Sequence, residues 1–185
     1  GVDQRQGGIL MFEKNMLQSN FVENPAPARA FGLKRAFLAS SALSLILVSP
    51  VAAQNLPSGG VVASGGAVIS QTGSAMNIVQ STNKAVVNWQ SFDISAGSSV
   101  KFTLPDSASI TLNRVVGDDP SKIFGSLTSN GQIFLLNPNG VLFGATSRIN
   151  AAGIVASTLS LSDDDFNAGR YVFKKNGSDA AVTNE

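Results

Sequence analysis

The sequence predicts an all-β fold, and three observations carry that prediction. After Gln54 the chain is built mainly from Gly, Ser, Ala, Asn, Thr, Val and Ile, while the helix formers Glu, Lys and Leu are sparse. Turn residues recur every few positions. Short apolar runs start directly after glycines: Gly131 before Gln-Ile-Phe, Gly140 before Val-Leu-Phe and Gly153 before Ile-Val-Ala, at spacings of nine and thirteen, twenty-two together. Three short strands separated by turns over about 20 residues would make one coil of a parallel β-helix. A pair of hairpins suits the same stretch, because Asn-Gly is the strongest short hairpin signal. Local chemistry leaves these two arrangements open.

The first 53 residues stand apart from that fold. Lys34-Arg35 is a short basic region, and "AFLASSALSLILV" behind it is an apolar core (36–49 with its flank) too short and Ser-rich for a good membrane span. Pro50 breaks the run, and Val51-Ala52-Ala53 offers small residues where a signal peptidase needs them, so cleavage is expected between Ala53 and Gln54. Residues 1–53 are thus expected to be a leader with a signal peptide for the general secretory route, and 54–185 the exported domain. Residues 54–185 contain no Cys, so no disulfide holds them together.

The strands follow in order. "VVNWQSFDI" alternates, but its phase slips between Trp89 and Phe92, which predicts a bulge or corner there. "VKFTL" puts Val100, Phe102 and Leu104 on one face and Lys101 and Thr103 on the other, a half-buried strand. "SITLNRVV" is a further strand candidate. "QIFLL" is apolar without alternation, as expected of a strand covered on both faces.

Several chemistries are excluded or disfavoured. With no His and no Cys, the chain lacks Ser-His-Asp and Cys-His sites, His-type zinc sites and haem ligation by His. Residues 54–185 carry eight Lys/Arg against nine Asp/Glu, scattered, with no basic stripe that would suggest nucleic acid. Asp163-Asp164-Asp165 is the densest acidic cluster; it lacks the Gly and Glu of an EF-hand loop and is expected to be a solvated loop rather than a metal site. Asp118-Asp119-Pro120 reads as a turn. Asp93 and Asp106 are too isolated to form a general acid and base pair. Trp89 reads as core or cap rather than as a sugar platform. No cofactor, metal or catalytic residue is expected.

Ordered motifs then carry a family resemblance. Asn137-Pro138-Asn139-Gly140, flanked by "IFLL" and "VLFGATSRIN", resembles the filamentous-haemagglutinin N-terminal domain, the secretion domain of two-partner-secretion exoproteins in Gram-negative bacteria. Asn88, Trp89 and Phe92 resemble that family's Asn-Trp-x-x-Phe strand, and "LNRVVGDDPSKIFGSLTSNGQIFLLNPNGVLFG" follows its pattern throughout. The resemblance covers roughly Leu56 to Phe173. It implies a right-handed parallel β-helix with small antiparallel additions, capped at its N-terminal end. It also implies passage through the periplasm and recognition by the soluble periplasmic domains of a dedicated outer-membrane β-barrel transporter, which hands the unfolded chain to the cell surface. On this reading the chain is the start of a longer secreted, adhesin- or haemagglutinin-like exoprotein that is not an enzyme. Host-cell receptors or glycans would be engaged by downstream regions. One departure is plain: some members carry an earlier Asn-Pro-Asn-Leu motif, and "QSTNKAVVNW" does not. The alternative is a β-helical carbohydrate-binding or carbohydrate-active exported protein. β-helical lyases and hydrolases need Asp clustered with Lys or Arg in a groove, and the charges here do not cluster.

The Asn-Pro-Asn-Gly motif has a structural reason in any case. Pro138 fixes φ and has no N–H, so it ends the preceding strand's ladder. Asn139 and Gly140 tolerate left-handed angles, and both Asn side chains can bond the backbone of a corner. Two roles remain: a corner that lets the coil close, or a corner that the transporter also reads.

Overall fold

The computed structural model describes residues 55–185. The expected leader, with its apolar core and the expected cleavage site between Ala53 and Gln54, lies outside the described residues. In chain order the elements are β1 (Val61–Ser64), β2 (Ala67–Thr72), β3 (Ala75–Gln80), β4 (Lys84–Trp89), β5 (Ser99–Thr103), β6 (Ile110–Val115), β7 (Ser121–Ile123), β8 (Ser126–Ser129), β9 (Gln132–Leu136), β10 (Val141–Phe143), β11 (Arg148–Asn150), β12 (Gly153–Ser157), α1 (Asp163–Asn167) and β13 (Val182–Asn184).

These strands wind as a parallel β-helix with three faces. One sheet runs β2-β3-β5-β8-β11, the second β1-β4-β6-β9-β12 and the third β7-β10-β13. Within the coils every pairing is parallel: Met76 lies on Val100, Val100 on Leu127 and Leu127 on Ile149, one level per coil. The third face of the first coil is a single parallel bridge, Ile94 on Ile123. The antiparallel pairs sit at the N-terminal end, where β1 folds onto β4 and β2 onto β3. They give the first coil a cap in place of a bare parallel edge.

The Gly-led runs are β9, β10 and β12, but they do not make up one coil. β9 and β10 share the third coil with β8, and β12 belongs to the fourth, where Gly153 stacks on Gln132 of β9. The strand between them, β11, is three residues long and carries Arg148, Ile149 and Asn150, too short and polar to announce itself. The step from one coil to the next on this face is twenty-one residues from β9 to β12, twenty-two from β6 to β9 and twenty-six from β4 to β6.

The core lies inside the coils. Val100, Phe102 and Leu104 are buried, as the alternation of "VKFTL" predicts. The phase slip after Trp89 is a corner: β4 ends at Trp89, and Phe92 and Ile94 turn in again on the next face, with the Trp89 and Phe92 rings edge to face at 5.6 Å. Each such side chain stabilises by about 1.5–3 kcal/mol through its removal from water. The interior ladder of the second face is interrupted in β6, where Thr111 and Asn113 point inward and are fully buried. Their polar atoms are paired. Thr111 Oγ1 donates to Gln80 Oε1 at 2.6 Å, and Asn113 Oδ1 accepts from Trp89 Nε1 at 3.0 Å.

A second apolar cluster explains why "QIFLL" lacks alternation. Ile133 and Leu135 face the interior, while Phe134 and Leu136 face outward with Val86, Ile110 and Leu112. Residues 158–181, between β12 and β13, leave the coil and cross this outer face, burying Leu161 and Phe166 against it. This strap contains α1. The acidic run expected as a solvated loop is therefore helical. Ser162 caps the helix, its hydroxyl oxygen accepting from Asp165 N at 3.2 Å, and three carboxylates in the first turn suit the helix dipole.

Candidate functional site

The Asn-Pro-Asn-Gly corner joins β9 to β10 and is held from all sides. Asn137 is completely buried, the end of the run that begins at Ile133. Its Nδ2 donates to Asp119 O at 2.9 Å and to Ser121 Oγ at 3.0 Å, both on the coil below. Its Oδ1 accepts from Asn139 N at 2.9 Å, and its backbone N–H donates to Ser157 O at 3.0 Å on the coil above. Gly140 N donates back to Asn137 O at 3.1 Å, closing the turn. Gly140 adopts φ +111, where a Cβ would stand 3.2 Å from Ala181 O. The positive φ favours glycine here, and a Cβ would also make a tight contact. Pro138 is half-buried, and its carbonyl accepts from Ser178 Oγ of the strap. Asn139 alone of the four is exposed, and its Nδ2 donates to Gly117 O at 2.8 Å. The motif thus locks three successive coils and the returning strap at one corner.

The second motif is divided between inside and outside. Trp89 and Phe92 are core. Asn88 faces outward on β4, where its Oδ1 accepts from Arg114 Nη1 at 3.2 Å. Arg114 Nη2 in turn donates at 2.6 Å to both Leu161 O and Asp163 Oδ1, gripping the start of the strap. Lys84, at the start of β4, holds the other end of α1. Its Nζ donates to the carbonyls of Phe166 and Asn167, each at 3.0 Å, and lies 5.7–5.8 Å from the Phe166 and Tyr171 ring centres. These two cations were not singled out from sequence. No local pattern marks them, because their partners on the strap lie 47 to 83 residues away.

Three further carboxylates bond the backbone or neighbouring side chains. Asp106 Oδ1 accepts from Ser109 Oγ and from the backbone N–H groups of Ser109 and Ala108; the Ser109 hydroxyl first, and then these amides, hold its pKa below the usual Asp value. Asp93 accepts from Lys122 N at 2.7 Å. The pKa of Asp165 is likewise lowered, chiefly by the Ser162 hydroxyl and then by Arg170. Among the described residues no group of three or more His, Cys, Asp or Glu could hold a metal ion, and no helix is long and apolar enough to cross a membrane.

A family model described as the TPS (two-partner secretion) secretion domain matches residues 53–185. The chain belongs to the TPS secretion domain family. The TPS domain resembles the crystal structure of the HMW1 secretion domain from Haemophilus influenzae, with a TM-score of 0.66 and 34% identity over 69% of this chain and 35% of that one. Two proteins of Haemophilus influenzae, each described as a heme/hemopexin-binding protein, are 38% identical over 72% of this chain and 40% identical over 62% of it. The chain spans only 15% and 12% of those two relatives. The parallel β-helix with antiparallel additions, expected from the resemblance, is the fold observed.

Proposed function

We infer that this TPS domain targets an exported protein to a partner outer-membrane β-barrel, whose periplasmic domains receive the chain before it folds, and that the Asn-Pro-Asn-Gly corner serves this role through the fold. The family match over residues 53–185 supports the targeting role. The observation that carries the second part is the burial of Asn137 with all its polar groups paired inside the domain. Export begins with the leader, cleaved after Ala53, and delivers the protein to the cell exterior or surface. The domain itself binds and orients; no residue in it is assigned a catalytic role. The name heme/hemopexin-binding protein belongs to relatives of which this chain matches a small part, so it assigns no ligand here.

The test is secretion from a Gram-negative host with and without a cognate barrel, for the wild type and for Asn137→Ala. Release that needs the barrel, starting at Gln54 by N-terminal sequencing, supports the reading. The fold-based role of the corner fails if Asn137→Ala is retained in the periplasm while the purified domain keeps its thermal stability.

A further inference from the structure

The chain contains three Asn-Gly pairs after the leader, and the fold treats them differently. In Asn130-Gly131 the Asn amide is clasped twice by the backbone of Leu104, with both bonds at 2.8 Å, and Gly131 N–H donates to Ser129 Oγ at 3.0 Å. In Asn139-Gly140 the glycine is buried and its N–H is engaged in the turn to Asn137 O. In Asn176-Gly177 both residues are exposed. Among the described residues Gly177 N–H has no hydrogen-bond partner, and nothing lies within 4 Å of where its Cβ would stand. Asn176 Oδ1 accepts from Ser178 N at 3.1 Å, an Asx turn that curls the side chain over the Gly177 peptide. Its Nδ2 donates to Thr158 O at 2.9 Å in an exposed bond.

We propose that Asn176-Gly177 is a self-modifying site at which the folded chain deamidates. The Gly177 nitrogen, its proton taken by solvent base, attacks Cγ of Asn176. The Cγ–Nδ2 bond breaks and ammonia leaves with a proton from water, giving a five-membered imide. Water then opens the ring at either carbonyl, leaving aspartate or its isoaspartyl isomer. No oxidant or reductant is needed. Attack requires a glycine nitrogen that is free to lose its proton and to swing toward the side chain. Gly177 has one, because glycine lacks a Cβ in the way and this amide is tied to nothing. The other two glycine amides must first break a hydrogen bond. The product exchanges the donor facing Thr158 O for a carboxylate, so the strap loses one of the bonds that hold it where it turns toward β13, while Ser178 Oγ still holds Pro138 O.

The experiment is peptide mapping by mass spectrometry of the purified chain after prolonged incubation, folded in buffer and in parallel in denaturant. In the folded chain Asn176 is expected to convert roughly tenfold faster than Asn130 or Asn139, the factor that about 1.4 kcal/mol of extra barrier produces. In denaturant all three are expected to convert at similar rates. The proposal is overturned if Asn130 or Asn139 keeps pace with Asn176 in the folded chain. It is equally overturned if Asn176 keeps its amide there, or if it fails to react even in denaturant.

Discussion

Asn137 shows how a residue can be indispensable without being touched by a partner. Its side chain satisfies an acceptor on Asp119, a hydroxyl on Ser121 and a donor on Asn139. Asn137→Ala leaves these unpaired next to a packed corner and is expected to cost about 2–3 kcal/mol, lowering the thermal midpoint by roughly 10 °C. Asn139→Ala removes one exposed bond to Gly117 and is expected to shift the midpoint far less, so thermal melts of the two variants separate burial from mere membership of the motif. Trp89→Phe tests the same logic in the interior. It strands the Asn113 carbonyl that Trp89 Nε1 now satisfies and is expected to cost about 1–3 kcal/mol by denaturant unfolding. The corner itself was legible in the sequence, because Pro, Asn and Gly each restrict or free the backbone in a known way. That Asn137 would be fully enclosed was not legible, since its partners come from other coils.

Strands with strong patterns are legible in the sequence, and short or polar ones are not. "VKFTL" and "QIFLL" announce one covered face and two, and the structure puts them there. β11 stayed hidden because Arg148 and Asn150 face solvent and only Ile149 faces in. α1 does carry a local signal. Ser162 followed three residues later by Asp165 is a reciprocal cap, and Ser162 Oγ donates to Asp165 Oδ2 at 2.8 Å. This cap has a pH signature. The pKa of Asp165 is depressed in the fold, so its stabilising effect is present above the ordinary value of 3.8 and is lost as pH falls through the lower folded value. An NMR titration should find the Asp165 midpoint below 3.8, with the amide signals of α1 shifting along with it. A midpoint at or above the ordinary value would show that the cap is not formed in solution.

On the scale of the molecule, the strap does more than cover a sheet. Phe166 shares one buried cluster with Val86, Ile110, Leu112, Phe134 and Leu136, side chains from three coils, and its ring meets that of Phe134 at 6.2 Å. Asn167 reaches Ser64 of the N-terminal cap, 103 residues away in sequence. Its targets were unreadable for that reason: no local pattern encodes a contact over such a separation. Phe166→Ala is expected to cost about 3–5 kcal/mol and to change the shape of denaturant unfolding as well as its midpoint. The single transition of the wild type should broaden or split, with amide exchange rising first in β3 and β4. A variant that simply shifts to lower denaturant with unchanged slope would show that the coils cooperate without the strap.

Coils that touch only their neighbours behave as a one-dimensional stack, free to nucleate at any level and to fray at either end. The strap adds a link between the last level and the first, which such a stack lacks. A chain that leaves a membrane pore with its N-terminal part leading would therefore build its coils level by level, yet keep the outer apolar face of the earliest ones wet until the strap arrives. Closure of that face is then a single event, set by emergence of residues 158–181 rather than by addition of any one coil.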